Sequence, residues 1–330
     1  MDERLPLTIV TGFLGSGKTT LLQRFLRTPQ GERTAILVNE FGEAGLDHRL
    51  LLHAEERLEL IDGGCMCCAR RADIARSIHE LVRRAKAGGD GGIQHLVIET
   101  TGLADPAPII ATIGRDAWMS ANVRIGSVVA VLDAVTGLDI AEKHVEARRQ
   151  IAIADTVVVS KTDLRKAHSL TDISRSLKAI APDARLFDAQ APDFDIGATL
   201  GEADHFRLGG PEEFDEAHER HVEGWHSFLL KLPEQVDWPT FTLWLSALLH
   251  AHGDRILRVK GMLRTSSAQG PVVIHGVQHV MHPPHHLPAG EKLDQPFLVF
   301  ITNQLRREAI EASLNDFMLR MQPFQERAAA

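Results

Sequence analysis

The sequence predicts an α/β fold, a mostly parallel sheet with helices on both faces, followed by a smaller α+β domain. Three observations carry this expectation. From residue 5 to about 190, short apolar runs alternate with longer amphipathic segments, the pattern of repeated βαβ units. Several of those runs are apolar throughout, as parallel strands buried on both faces must be. Beyond about residue 222 the rhythm changes to strand, helix, three strands and helix.

In the first part, strands are expected at 7–11, 34–39, 58–60, 95–99, 127–132 and 156–160, and a helix at 20–26 with apolar residues at helical spacing. Between about 188 and 222 the composition turns to Asp, Glu, Gly, Pro and His with few periodic apolar residues, which predicts a loosely structured linker. In the last part, strands are expected at 225–232, 256–262, 272–280 and 295–301, and helices at 239–251, with Pro239 in its first turn, and 307–317. Trp225, Trp238 and Trp244 are expected in the core of that domain. The division is therefore an α/β domain at 1–190, a linker at 191–222 and an α+β domain at 223–330, and 330 residues are more than one compact core usually holds.

Composition narrows the partners. A hydrophobic fraction of 44% suits a well-buried globular chain, while a formal net charge of −8 argues against a nucleic-acid groove. No run approaches the roughly 18 apolar residues of a membrane span, and Met1-Asp2-Glu3-Arg4 opens no apolar signal segment, so the expectation is a cytoplasmic protein. Small molecules, metals and proteins are the expected partners, with self-association left open.

The first run leads into Gly12-Phe13-Leu14-Gly15-Ser16-Gly17-Lys18-Thr19-Thr20. Strand, glycine loop and helix in this order satisfy the phosphate-loop pattern, so the α/β part is expected to be a P-loop NTPase domain. Its glycines let backbone N–H groups curl around phosphate oxygens at the positive end of a helix. Lys18 is expected on the β- and γ-phosphates, and the Thr19 hydroxyl on Mg²⁺. The strand at 95–99 ends in Glu99, followed by Thr100-Thr101-Gly102. An acid there, with a glycine three residues on, predicts a magnesium-shell carboxylate and a γ-phosphate-sensing N–H at Gly102. A third element, Ser160-Lys161-Thr162-Asp163, follows the strand at 156–160. It matches the guanine-recognition pattern at its Lys and Asp: Asp163 would accept from guanine's two N–H donors, and the Lys161 stem would cover the base. The expected nucleotide is GTP.

All three cysteines fall in Cys65-Met66-Cys67-Cys68. Three thiols in one turn make a poor disulfide framework and a good soft-metal site, for Zn²⁺ or another transition metal. One short turn hardly closes a tetrahedron, so a further ligand or an open position is expected, with carboxylates on offer in Asn39-Glu40-Phe41-Gly42-Glu43. No residue is an obvious water-activating base; Glu40 and Glu43 are weak candidates.

These segments together, with Leu103-Ala104-Asp105-Pro106 after Gly102, with Arg258-Val259-Lys260-Gly261-Met262 and with Gly276-Val277-Gln278-His279, resemble the CobW family of metal-handling GTPases, relatives of the urease and hydrogenase nickel-insertion GTPases. The resemblance spans nearly the whole chain. It implies a GTPase whose Cys65, Cys67 and Cys68, with Glu43, bind a divalent metal, commonly zinc, for delivery to a client metalloprotein. Two residues depart from the pattern: Ser160 stands where Asn or Thr is usual, and Val38 where some members place an acid.

Three further readings frame the tests below. His275, His279, His282, His285 and His286 are dense enough for a low-affinity metal surface, but Pro283 and Pro284 break the segment and favour a solvated polar loop. A nucleotide-gated zinc sensor or buffer would share every motif without useful turnover. A small-molecule kinase would share the phosphate loop, yet it has no use for Ser160 to Asp163.

Overall fold

The computed structural model describes residues 4–38, 58–60, 67–87, 92–164, 170–201 and 224–328, with side chains outside 58–60, 67–73 and 322–328. The chain forms two compact units, Met1–Lys178 with Ala184–Phe206, and Ala179–Asp183 with Arg207–Ala330. No described helix is long and apolar enough to cross a membrane.

The first unit is built on β1 (Leu5–Thr11), β2 (Thr34–Val38), β3 (Leu58–Leu60), β4 (His95–Glu99), β5 (Val123–Asp133), β6 (Thr156–Ser160) and β7 (Arg185–Asp188). They pair in parallel in the order β3-β2-β4-β1-β5-β6-β7. Leu7, Ile9 and Val10 of β1 are fully buried, which is why this strand shows no polar alternation. The helices are α1 (Lys18–Phe25), α2 (Cys67–Ala87), α3 (Ala107–Arg115), α4 (Ala117–Asn122), α5 (Gly137–Lys143), α6 (Val145–Ala152), α7 (Leu170–Ile180) and α8 (Ile196–Gly201). Because β1 lies between β4 and β5, the strand order reverses at its C-terminal end, where open α/β sheets place their ligands.

Two elements here differ from expectation. β7 has no apolar run: it is a half-buried edge strand carrying Arg185 and Asp188, so hydrophobic periodicity does not find it. Residues 191–201 are not loose linker. They include α8, whose Ile196 and Leu200 join a core with Leu22 and Phe25 of α1 and Val10, Val97 and Val129 of the sheet. Two apolar residues in one short helix are too few to register as a period. The remainder of the expected linker, 202–222, lies outside the described residues.

The second unit contains β8 (Trp225–Lys231), α9 (Trp238–His252), β9 (Ile256–Leu263), β10 (Val272–Val277), β11 (Val280–Met281), β12 (His285–His286), β13 (Phe297–Asn303) and α10 (Arg307–Ala328). Its sheet is antiparallel, in the order β11-β10-β9-β13-β8 with β12 beside β10. α9 starts where its sequence says it should. The Asp237 carboxylate accepts from the Thr240 N–H at 3.0 Å, with Pro239 in the first turn. Phe241, Trp244 and Leu245 of α9 and Ile310 of α10 bury themselves against Phe228, Val259 and Phe300 of the sheet, each large side chain contributing about 2 to 3 kcal/mol. Trp225 is buried too, and Trp238 packs partly buried against the same core. At Arg258 and Lys260 of β9 the sheet is charged. Asp183 takes the Arg258 guanidinium at 3.0 Å and lies 3.8 Å from Lys260 Nζ, all three side chains buried. Such a group tolerates the loss of no single member, at about 3 to 5 kcal/mol.

The expected strand 272–280 breaks after Val277, where Gln278, at φ 50°, and His279 turn the chain back into β11. The histidines do not make one solvated loop. His279 places Nδ1 at 2.8 Å from the Leu249 carbonyl and Nε2 at 3.1 Å from Asp254, and His282 stacks on buried His275 with ring centroids 4.5 Å apart. His285 and His286 are exposed. Among the described residues, no group of three or more His, Cys, Asp or Glu side chains gathers closely enough to hold a metal.

Candidate functional site

The chain leaves β1 at Thr11 and starts α1 at Lys18, turning between them on glycines with positive φ. Gly12 has φ 138°, and a Cβ there would lie 2.3 Å from the Val131 carbonyl oxygen. Gly17, at φ 97°, precedes α1 as its N-cap and offers no side-chain cap, so the positive end of the helix faces the loop. Lys18, nearly buried, folds over the loop and donates through Nζ to the Gly12 and Phe13 carbonyls at 2.8 and 3.1 Å. Thr20 is exposed on the first turn of α1.

The pairing of β1 with β4 sets Glu99 beside Val10, level with that turn. There the Thr19 hydroxyl donates to Glu99 Oε1 at 2.9 Å. The following segment is locked to the same loop. Thr100 donates from its N–H to the Val10 carbonyl and from its hydroxyl to Thr11 Oγ1, each at 2.9 Å. Gly102 is pressed so closely on the phosphate loop that a Cβ would lie 2.5 Å from the Leu14 nitrogen.

From β6 comes the third segment. The Ser160 hydroxyl donates to the Ser16 carbonyl at 2.6 Å, and Lys161 Nζ donates to the Gly15 carbonyl at 2.8 Å. Lys161 also pairs with Asp133 Oδ2 at 2.6 Å. Its backbone is left-handed, at φ 55°, a strain of order 1 kcal/mol that non-glycine residues accept where surrounding bonds impose it. Burial raises the Asp133 pKa, but the Lys161 hydrogen bond, aided by the Val135 and Thr136 N–H groups, more than reverses this and holds it below the usual carboxylate value. Thr162 donates to Asp188 Oδ1 at 2.7 Å, and Asp163 is exposed in the short turn Thr162–Leu164.

Gly12, Gly15, Ser16, Gly17, Lys18, Thr19, Glu99, Gly102, Ser160 and Lys161 thus come together at the C-terminal ends of β1, β4 and β6. For the metal the outcome is narrower. Cys67 and Cys68 open α2, while Cys65, Glu40 and Glu43 lie outside the described residues. Sequence reasoning missed three members of the site. Asp133 had a signal, an acid ending an apolar strand as Glu99 does. Gln150 had none, since it follows Glu146, Arg148 and Arg149 and looks like solvated surface; Asp188 follows only the pair Leu186-Phe187, too short to register as a strand.

Residues 6–188 match the CobW/HypB/UreG nucleotide-binding domain, and residues 225–318 the cobalamin synthesis protein cobW C-terminal domain. The chain belongs to the CobW/HypB/UreG family. This CobW-type chain is 29% identical over 314 residues to the zinc chaperone YjiA of Escherichia coli K12, covering 94% of itself and 97% of YjiA. It is 31% identical over 313 residues to the zinc chaperone CobW of Pseudomonas aeruginosa, covering 83% of itself and 80% of that protein. The crystal structure of the Zn(II)-bound YjiA GTPase has the same fold, at a TM-score of 0.67 and 24% identity over 95% of this chain and 99% of that one. The two matched domains leave 189–224 between them, the span that contains α8.

Proposed function

We propose that the protein is a Mg²⁺-dependent GTP hydrolase that couples nucleotide state to binding a divalent metal at Cys65, Cys67 and Cys68, with Glu43, and to its delivery to a client metalloprotein. Zinc is the metal favoured by the thiolates and by the names of the relatives. The observation that carries the nucleotide part is the fastening of Ser160 onto the Ser16 carbonyl, 144 residues away in sequence. This bond fastens the turn after β6 to the loop after β1, which supports reading that turn as the base-recognition segment and guanine as the base. Ser160 does this with a hydroxyl where the family usually has Asn or Thr.

A hydroxyl and a carboxylate 2.9 Å apart, Thr19 and Glu99, are the hard oxygen donors that Mg²⁺ prefers, and these residues would hold it. A bound Mg²⁺ would neutralise charge on the phosphoryl oxygens. Lys18 would do the same from the loop side, and the Gly102 N–H would sense the γ-phosphate. Asp163 would read the guanine edge. An adenine base would leave that carboxylate without its donors, which is the source of specificity.

Three measurements test this reading. Phosphate released from GTP into water, with no acceptor present, separates the hydrolase from a kinase. Steady-state turnover with and without zinc separates it from a sensor or buffer. Equal affinity for ATP and GTP in direct competition would remove the guanine assignment.

A further inference from the structure

We propose that Gln150 is the positioning residue that sets the γ-phosphate-sensing loop, an inference that rests on the GTP reading above. Gln150 lies on α6, only 1% exposed, although amides are usually found in solvent. Its Nε2 donates to the Gly102 carbonyl at 3.1 Å and to the Ala104 carbonyl at 2.9 Å. Both partners only accept, so the amide must present its NH₂ to them, and it spends both protons on this one loop. The next residue on the helix reinforces the attachment: Arg149 Nη1 lies 3.5 Å from Asp105 Oδ2. Asp105 Oδ1 in turn accepts from the Ala107 N–H at 3.0 Å.

The need for such an anchor follows from Gly102 itself. The close approach to Leu14 forbids a side chain there, and a residue without one has the widest choice of backbone conformations. Tying the carbonyls on either side of Leu103 removes that choice and leaves the segment in one arrangement against the phosphate loop. The contribution of Gln150 is therefore specific to nucleotides that carry a γ-phosphate. Among the described residues, its side-chain hydrogen bonds go to this loop and not to the guanine loop or the carboxylate of Glu99.

The full chain carrying Gln150→Met or Gln150→Glu is titrated with GDP and with guanosine 5′-(β,γ-imido)triphosphate, and GTP turnover is followed from pH 8.5 to 5.5. Two buried carbonyls lose their donor in Gln150→Met, so affinity for the imidotriphosphate and kcat should each fall about ten-fold or more. GDP affinity should stay within about two-fold of wild type, which also reports that α6 still packs. In Gln150→Glu the carboxylate has no proton to give, whereas the carboxylic acid has one. Turnover of that variant, relative to wild type, should recover as pH falls, and that of Gln150→Met should not. Loss of GDP and imidotriphosphate affinity together, or wild-type discrimination in both variants, overturns the positioning role. A wild-type protein that binds neither nucleotide overturns the GTP reading and this inference with it.

Discussion

Lys18 is the residue on which the proposed phosphate chemistry turns. Its ammonium already sits among the loop carbonyls, bonded to Gly12 and Phe13, so Lys18→Ala removes a cation held against the loop. Turnover of GTP should drop by at least about a hundred-fold, because charge stabilisation of this kind is worth several kcal/mol. Phosphate release within a few-fold of wild type would sink the assignment. Asp163 carries a different burden. Changing it to Asn converts a pure acceptor into a mixed donor and acceptor, which suits the edge of xanthine better than that of guanine. Competition of XTP against GTP on Asp163→Asn should therefore favour XTP, and an unchanged order would separate base choice from this residue. The motif made both residues legible in the sequence. The bonds of Ser160 and Lys161 to the phosphate loop were not, since spacing says nothing about which carbonyl a side chain will reach.

At the scale of an element, β4 shows how one strand serves both the core and the site. Its last residue, Glu99, meets Thr19; its first, His95, is buried between β1 and β2. The Thr8 hydroxyl donates to the Leu200 carbonyl at 3.0 Å, so His95 Nε2–H, 3.0 Å from Thr8 Oγ1, is the donor to it. Burial, and next the nearby charge of Arg124, lower the His95 pKa to about 4 from 6.5. The unfolded chain therefore takes up a proton near pH 6.5 that the folded chain refuses until about pH 4. Stability from this group is complete above pH 6.5 and is lost as pH falls. Between pH 7.5 and 4.5, denaturant unfolding should show wild type losing about 2 to 3 kcal/mol more than His95→Gln. An equal loss in the two proteins would place the titration elsewhere. The other instructive element is α2, which opens with Cys67 and Cys68 and buries Ile74, Ile78, Leu81 and Val82. His79 stacks on Trp118 of α4 with centroids 4.0 Å apart, which adds an aromatic contact to that apolar face.

For the whole molecule, the question is whether metal and nucleotide feel each other. The cysteines lie in sequence between the 39–43 segment and Glu99 to Gly102, both expected to sense the γ-phosphate. If nucleotide state rearranges those segments, zinc affinity must differ between the GTP and GDP states, and zinc must change nucleotide affinity by the same factor. A coupling of about 1 to 3 kcal/mol is the expected size. Zinc titrations with GDP and with the imidotriphosphate measure it. Replacing Cys65, Cys67 and Cys68 together by Ser should abolish the tight site and the coupling. Equal zinc affinity in the two states would leave a GTPase with a merely structural metal.

The sequence by itself determined the parallel sheet, the phosphate loop, the acid at the end of β4 and the turn after β6, because each is written in local terms: an apolar run, a glycine with positive φ, a fixed spacing. The α+β character of the second unit was legible too, through Pro239 in the first turn of α9 and the apolar period that follows it. Only the tertiary structure decided that α8 belongs to the nucleotide unit's core, that Asp183 is enclosed with Arg258 and Lys260, and that His275 and His282 stack instead of facing water. It alone placed Asp133 under Lys161 and Gln150 against Gly102. For Asp183, Asp133 and Gln150 the reason is the same. A polar residue is buried at a cost that only its partners can offset, and those partners come from strands and helices tens of residues away, beyond the reach of any local pattern.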